Sequence, residues 1–217
     1  MALTKFNYNS FDITPVASKA LQFNSDADGF TTADSGDMTL IKSVTASSSA
    51  NISFIHGTSD VVLDSTYDTY VFKYINCHPS SDDQKLVFQA TTNGSDFNTT
   101  VTNTYFLAQH TEDDSSTSFT YSASDDQAQG TAFQRLNEST GSDNDQSISG
   151  YLYLFAPSSA TFVKHYLSRS SSIWDQASDV YGGGYFNTTS AITGIQFKFG
   201  SGNIDAGTIK LYGIKDS

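Results

Sequence analysis

A chain of 217 residues with 37% hydrophobic and 13% aromatic residues has the length for one large domain and enough Phe and Tyr to fill a core. Its formal net charge of −12 argues against two partners, the nucleic-acid backbone and anionic membrane surfaces, because both are bound through basic patches. A single cysteine, Cys77, excludes an intrachain disulfide, so core packing and strand pairing must carry the fold.

In chain order, residues 1–35 are polar, with scattered aromatics and the turn-forming run Asp26-Ala27-Asp28-Gly29. They predict an N-terminal arm holding one or two short strands. The opening Met1-Ala2-Leu3-Thr4-Lys5-Phe6 lacks the apolar run of a signal peptide, which predicts a product that stays in the cytoplasm until it assembles. Residues 36–217 form the expected β-domain. Strands are predicted at 38–45, at 51–56 with Ile52 and Phe54 on one face, at 61–63, and at 67–76, where His78-Pro79 marks the end. Residues 86–90 follow, closed by the turn Asn93-Gly94-Ser95-Asp96. Strands at 104–109 and 118–122 bracket the acidic loop Glu112-Asp113-Asp114.

The best helix candidate covers 125–136, although Gly130 weakens it. Residues 151–155 are apolar or aromatic at every position and predict a strand covered on both faces. A strand at 161–167 continues the series. In Ile195-Gln196-Phe197-Lys198-Phe199, strict alternation puts the three apolar residues on one face. After a Gly200–Asn203 turn, the last strand, 208–214, points Ile209 and Leu211 inward. Many short strands with few prolines predict an all-β protein, a jelly-roll-like antiparallel β-sandwich with a short N-terminal arm.

The chemistry-bearing residues form no catalytic pattern. None of the four histidines, His56, His78, His110 and His165, lies in a metal-ligand motif. His110 precedes Glu112 and Asp113, a spacing open to a metal cluster or an acid–base pair, but a solvated loop at a strand end explains it more simply. His165, in an apolar strand, is expected in the core with a hydrogen-bond partner. Cys77 and His78 are adjacent, and neighbours on a strand point to opposite faces, so a Cys–His dyad is not expected. Only two glutamates exist, Glu112 and Glu138, where a glycosidase needs two carboxylates at a set separation. No catalytic residue, no cofactor and no metal are predicted. Were calcium bound, the oxygen-rich loop Asp143-Asn144-Asp145 would be its first place and Asp125-Asp126 its second. Five Asn-x-Ser/Thr sequons, at Asn51, Asn93, Asn98, Asn137 and Asn187, read as loop chemistry. Tyr181-Gly182-Gly183-Gly184-Tyr185 and Trp174 form a candidate ligand-contact loop, with Trp174, Tyr181 and Tyr185 as stacking platforms for sugar rings. The competing reading is a glycine turn flanked by core aromatics.

Several segments resemble a family of virion structural proteins from marine tailed phages that infect cyanobacteria and other ocean bacteria. They are the opening hexapeptide, Ala27-Asp28-Gly29-Phe30-Thr31-Thr32, Val61-Val62-Leu63-Asp64-Ser65-Thr66-Tyr67, Phe162-Val163-Lys164-His165-Tyr166 and Gly184-Tyr185-Phe186-Asn187-Thr188-Thr189-Ser190-Ala191-Ile192. The strongest match is Gly202-Asn203-Ile204-Asp205-Ala206-Gly207-Thr208-Ile209-Lys210-Leu211-Tyr212-Gly213-Ile214. The resemblance implies a structural role in the virion, with other virion proteins and copies of itself as partners, a trimer in the fibre-like case. It carries no catalytic residues. A tail-associated or fibre-like subunit that contacts host surface glycans is the leading expectation, a head decoration or capsid-surface protein the alternative, and a polysaccharide depolymerase a third reading that the scarcity of glutamates opposes.

Overall fold

The computed structural model describes residues 20–23, 26, 29–33 and 38–215. Most of the expected N-terminal arm lies outside them, as does part of its Asp26–Gly29 turn. Within the arm, β1 (Ala20–Phe23) pairs antiparallel with β2 (Phe30–Ala33), and the Phe23 and Phe30 rings stack 5.0 Å apart. The body contains β3 (Met38–Thr45), β4 (Ile52–Ile55), β5 (Thr69–Pro79), β6 (Leu86–Thr91) and β7 (Val101–Thr111). It continues with β8 (Thr117–Tyr121), β9 (Gln127–Gly130), β10 (Gln134–Arg135) and β11 (Ile148–Phe155). The last strands are β12 (Lys164–Ile173), β13 (Gln176–Phe186), β14 (Gly194–Phe199) and β15 (Ile204–Ile214).

The fold is all-β, an antiparallel β-sandwich. A four-stranded sheet, β10-β6-β14-β4, lies on a nine-stranded sheet ordered β3-β15-β5-β11-β12-β13-β7-β8, with β9 also paired to β7. The chain passes repeatedly between the two layers, so strands adjacent in sequence mostly sit in different sheets.

The alternation expected at the C-terminal end holds. Ile195, Phe197 and Phe199 of β14 are buried, as are Ile209 and Leu211 of β15. Phe197 is the ring at which the layers meet. Its centroid lies 5.4 Å from that of Phe72 and 6.4 Å from those of Phe54, Tyr74 and Phe88. Such tilted and edge-on pairs add to the free energy of burial. The turn after β6 forms as expected. Gly94 takes a positive φ of 82°, and the Asn93 Oδ1 accepts from the backbone N–H groups of Ser95 and Asp96.

Four expectations are corrected. Residues 125–136 are not helical. The Gln127 N–H donates to Asn103 Oδ1 (2.8 Å) and the Gln129 N–H to Thr102 Oγ1 (3.0 Å), so β7 side chains take donors that a helix would use. Gln129 also sits at φ 55°, outside the right-handed helical region. Residues 61–63 form no strand, although Val61 and Leu63, within the loop between β4 and β5, are buried. Residues 151–155 are covered on one face only: Leu152 and Leu154 are buried, whereas Tyr151, Tyr153 and Phe155 face outward. His165 lies outside the core, because β12 starts at Lys164 with Lys164, Tyr166, Ser168, Ser170 and Ser172 inward. A slip of one position in reading a strand exchanges its two faces.

One inward serine of β12, Ser170, has a steric cause. The large ring of Tyr74 reaches across from β5 and its hydroxyl meets Ser170 Oγ at 2.5 Å. A Cβ on Gly150 would come within 2.7 Å of the same ring. Small residues at 150 and 170 leave room for one buried tyrosine. Cys77 is fully buried, and burial pushes its thiol pKa up to about 12. Asn137, one of the sequon asparagines, is buried too: its Oδ1 accepts from the Leu86 N–H and its Nδ2 donates to Thr140 Oγ1, both at 2.7 Å.

On the outward side of the small sheet several positions are polar. Gln196 Nε2 donates to Ser53 Oγ (2.9 Å), and Gln89 Nε2 donates to the carbonyls of Thr131 and Ala132. The Lys198 ammonium lies 4.2 Å from the Phe133 ring centroid. The chain entering β10 therefore lies over part of this face.

Candidate functional site: an aromatic groove on the large sheet

Strand registers carry one row of side chains across the outer face of the large sheet. Lys210 is opposite Lys73, Lys73 opposite Tyr151, Tyr151 opposite Arg169, Arg169 opposite Tyr181, Tyr181 opposite Phe106, and Phe106 opposite Tyr121. Directly opposed residues share a face, so the row is continuous. The next row runs from Tyr212 through Val71, Tyr153 and Leu167 to Gly183 and Thr104. Gly183 contributes no side chain, and the gap it leaves is walled by Tyr151, Tyr181, Phe106 and Leu167. The result is an open hollow of about 390 Å³. Its walls are solvent-facing: Leu167 is 55% exposed and Tyr181 41%.

Arg169 marks one end of this hollow. Its Nε and Nη2 donate to Asp179 Oδ1 and Oδ2 at 3.1 and 2.7 Å, and its guanidinium carbon stands 4.5 Å from the Tyr181 ring centroid. The arrangement combines a forked ion pair with a cation–π contact. Beyond Arg169 the groove runs past Ser149 and Ser171 to His110, Glu112 and Asp114. From Leu167 to Ile173 along β12 the distance is about 20 Å.

Of the three residues expected to contact ligand, the structure places Tyr181 in this groove. Tyr185 shares its face, about 13 Å further along β13, with its ring 6.1 Å from that of His165. Trp174 lies in the tight β12–β13 turn, beside Asp175 at φ 51°, about 17 Å away from Tyr181 in the other direction. The glycine run is neither a loop nor a turn. It is the middle of β13, paired with β12 and β7 along its whole length. Two of its glycines are demanded by the sheet interior: a Cβ on Gly184 would lie 2.4 Å from the Thr102 carbonyl oxygen, and one on Gly182 would lie 2.6 Å from Ser168 Oγ. Gly183 faces outward, where a Cβ would meet only the tip of Leu167, at 3.1 Å, as its close neighbour.

The sequence reading missed Tyr151, Tyr153, Leu167, Arg169 and Phe106. In Tyr151-Leu152-Tyr153-Leu154 the signal was present, since tyrosine and leucine alternate.

The other polar clusters have structural partners. His110 Nε2 pairs with Asp114 Oδ1 (2.9 Å) rather than with Glu112 or Asp113. Asp125 is buried, accepts from Ser122 Oγ (2.6 Å) and forms an ion pair with Arg135, while Asp126 accepts from the Tyr121 hydroxyl, so the two carboxylates of that candidate calcium loop serve different neighbours. Burial, with the charge of Asp125 second, raises the pKa of Glu138. In the Asp143–Asp145 loop the Asp143 carbonyl contacts His78 Nε2 (3.2 Å), and Asn144 and Asp145 line a hollow with Asp205. Among the described residues no three His, Cys, Asp or Glu side chains converge as metal ligands.

No family model, curated protein or solved structure matches the chain.

Proposed function

We propose that the chain is a non-enzymatic structural subunit on the surface of a tailed-phage virion, tail-associated or fibre-like, whose large-sheet face meets glycans of the host surface. The observation that carries this reading is the open aromatic groove on the face of a fully paired sheet. A rigid scaffold presenting bare rings serves recognition, since it loses little conformational entropy on binding. The resemblance to marine phage structural proteins supports the virion setting. The acidic charge supports a surface that repels nucleic acid. Partners in this reading are other virion proteins and further copies of the chain, arranged as a trimer in the fibre-like case.

Gold-labelled antibody against the chain, applied to purified particles, tests the assignment. Label at the tail is the expected result. Label spread over the head would replace it with the capsid-decoration alternative, and particles that lack the chain by mass spectrometry would end both.

A further inference from the structure

We infer that the hollow floored by Gly183 and walled by Tyr151, Tyr181, Phe106 and Leu167 is a binding site for an uncharged hexopyranose unit, with Arg169 and Asp179 as its polar contacts. This deepens the host-surface reading by naming the site and the ligand class. A pyranose ring has an apolar C–H face and a rim of hydroxyls. The hollow matches both: exposed rings around a bare glycine floor, and beside them a forked Arg–Asp pair.

Charge selects among ligands. Asp179 holds two donors of the guanidinium, so the pair is neutral in sum while its remaining N–H groups and carboxylate lone pairs stay able to donate and accept. That suits hydroxyls, which do both. An anionic ligand would find the arginine already neutralised, on a chain of net charge −12. Peptide addition is excluded by topology. β11, β12, β13 and β7 are each paired on both sides, so no free strand edge borders the hollow. The groove continues from Arg169 past Ser149 and Ser171, which gives an oligosaccharide hydroxyl-lined space on the reducing or non-reducing side of the stacked ring.

The full chain is titrated with maltohexaose, cellohexaose and mannohexaose, and with hexagalacturonate as the charged counterpart, with tyrosine fluorescence and NMR shifts as readouts. At least one neutral hexamer is expected to bind saturably, and hexagalacturonate at least about tenfold more weakly. Tyr181→Ala and Gly183→Val are each expected to weaken binding at least about tenfold. Gly183→Val guards against a folding artefact: it fills the floor while replacing a strand glycine by a residue that strands favour, so the thermal midpoint should hold or rise. Phe119→Ala, on the same face but outside the hollow, should leave binding unchanged.

The inference is overturned if no neutral hexamer binds, if hexagalacturonate binds as well as they do, or if binding survives Gly183→Val in a folded protein. A concentration-dependent dimer that Gly183→Val dissolves, with no sugar response, would assign the hollow to a second copy and overturn it as well. None of these results depends on where the chain sits in the virion, so the labelling experiment and this one fail separately.

Discussion

Phe197→Ala is expected to lower folding stability by about 3–5 kcal/mol, the range for deleting a buried aromatic ring. Phe197 has no solvent exposure and its ring contacts Phe54 and Phe88 in its own sheet and Phe72 and Tyr74 in the facing one. Four rigid rings cannot all collapse into the space it leaves, so a cavity cost adds to the lost transfer free energy. Domains of ordinary stability hold about 5–15 kcal/mol, so this change removes a large share. Chemical denaturation followed by tyrosine fluorescence measures it, and Phe119→Ala serves as the reference. Phe119 is 75% exposed and should shift the midpoint by no more than about 0.5 kcal/mol. A Phe197→Ala loss as small as the reference would mean that the layers do not meet at this ring.

Lys164→Met is expected to stabilise the protein near neutral pH, because it removes a charge whose burial costs free energy. Lys164 is fully buried in β12, opposite Phe186. Its ammonium can donate three hydrogen bonds. Among the described residues it donates to the Thr188 carbonyl, at 3.2 Å, and no carboxylate pairs with it. Burial lowers its pKa from the ordinary 10.5. Between the lowered folded value and 10.5 the unfolded chain therefore binds more protons than the folded one, and stability rises with pH across that interval. Below the interval the burial penalty is complete; above it the amine is neutral in both states and the penalty is gone. The methionine variant lacks this alkaline rise. Denaturation midpoints of both proteins at about pH 7 and about pH 10 test it. Parallel changes in the two proteins would show that Lys164 carries no such penalty.

Lys164 also shows where the sequence becomes hard to read. The fold class was legible because β14 and β15 alternate cleanly and their apolar residues do face the core. In β12 the usual polarity is inverted. Lys164 and three serines point inward, Ser170 against the Tyr74 hydroxyl, while Leu167 points to solvent. A reading that places apolar residues inside then puts His165 on the wrong face. The site was legible in part for the same reason. Tyr181 stood out, but its partners come from β7, β11 and β12, and only the register of four strands brings Phe106, Tyr151 and Leu167 to it. The Gly182–Gly184 run looked like a turn because glycine is common in turns. Here two of the three glycines are spacers under close-packed neighbours, which local sequence does not record.

The outward side of the small sheet, with its Gln196–Ser53 contact and the chain from Thr131 to Phe133 laid over Gln89 and Lys198, gives the molecule a front and a back. The exposed rings of the groove, Phe106, Tyr151 and Tyr181, lie on the front. Copies fixed in an array by their backs or rims would all present the same aromatic relief outward, and a weak hold on one sugar chain would then be multiplied by the number of subunits that reach the same cell.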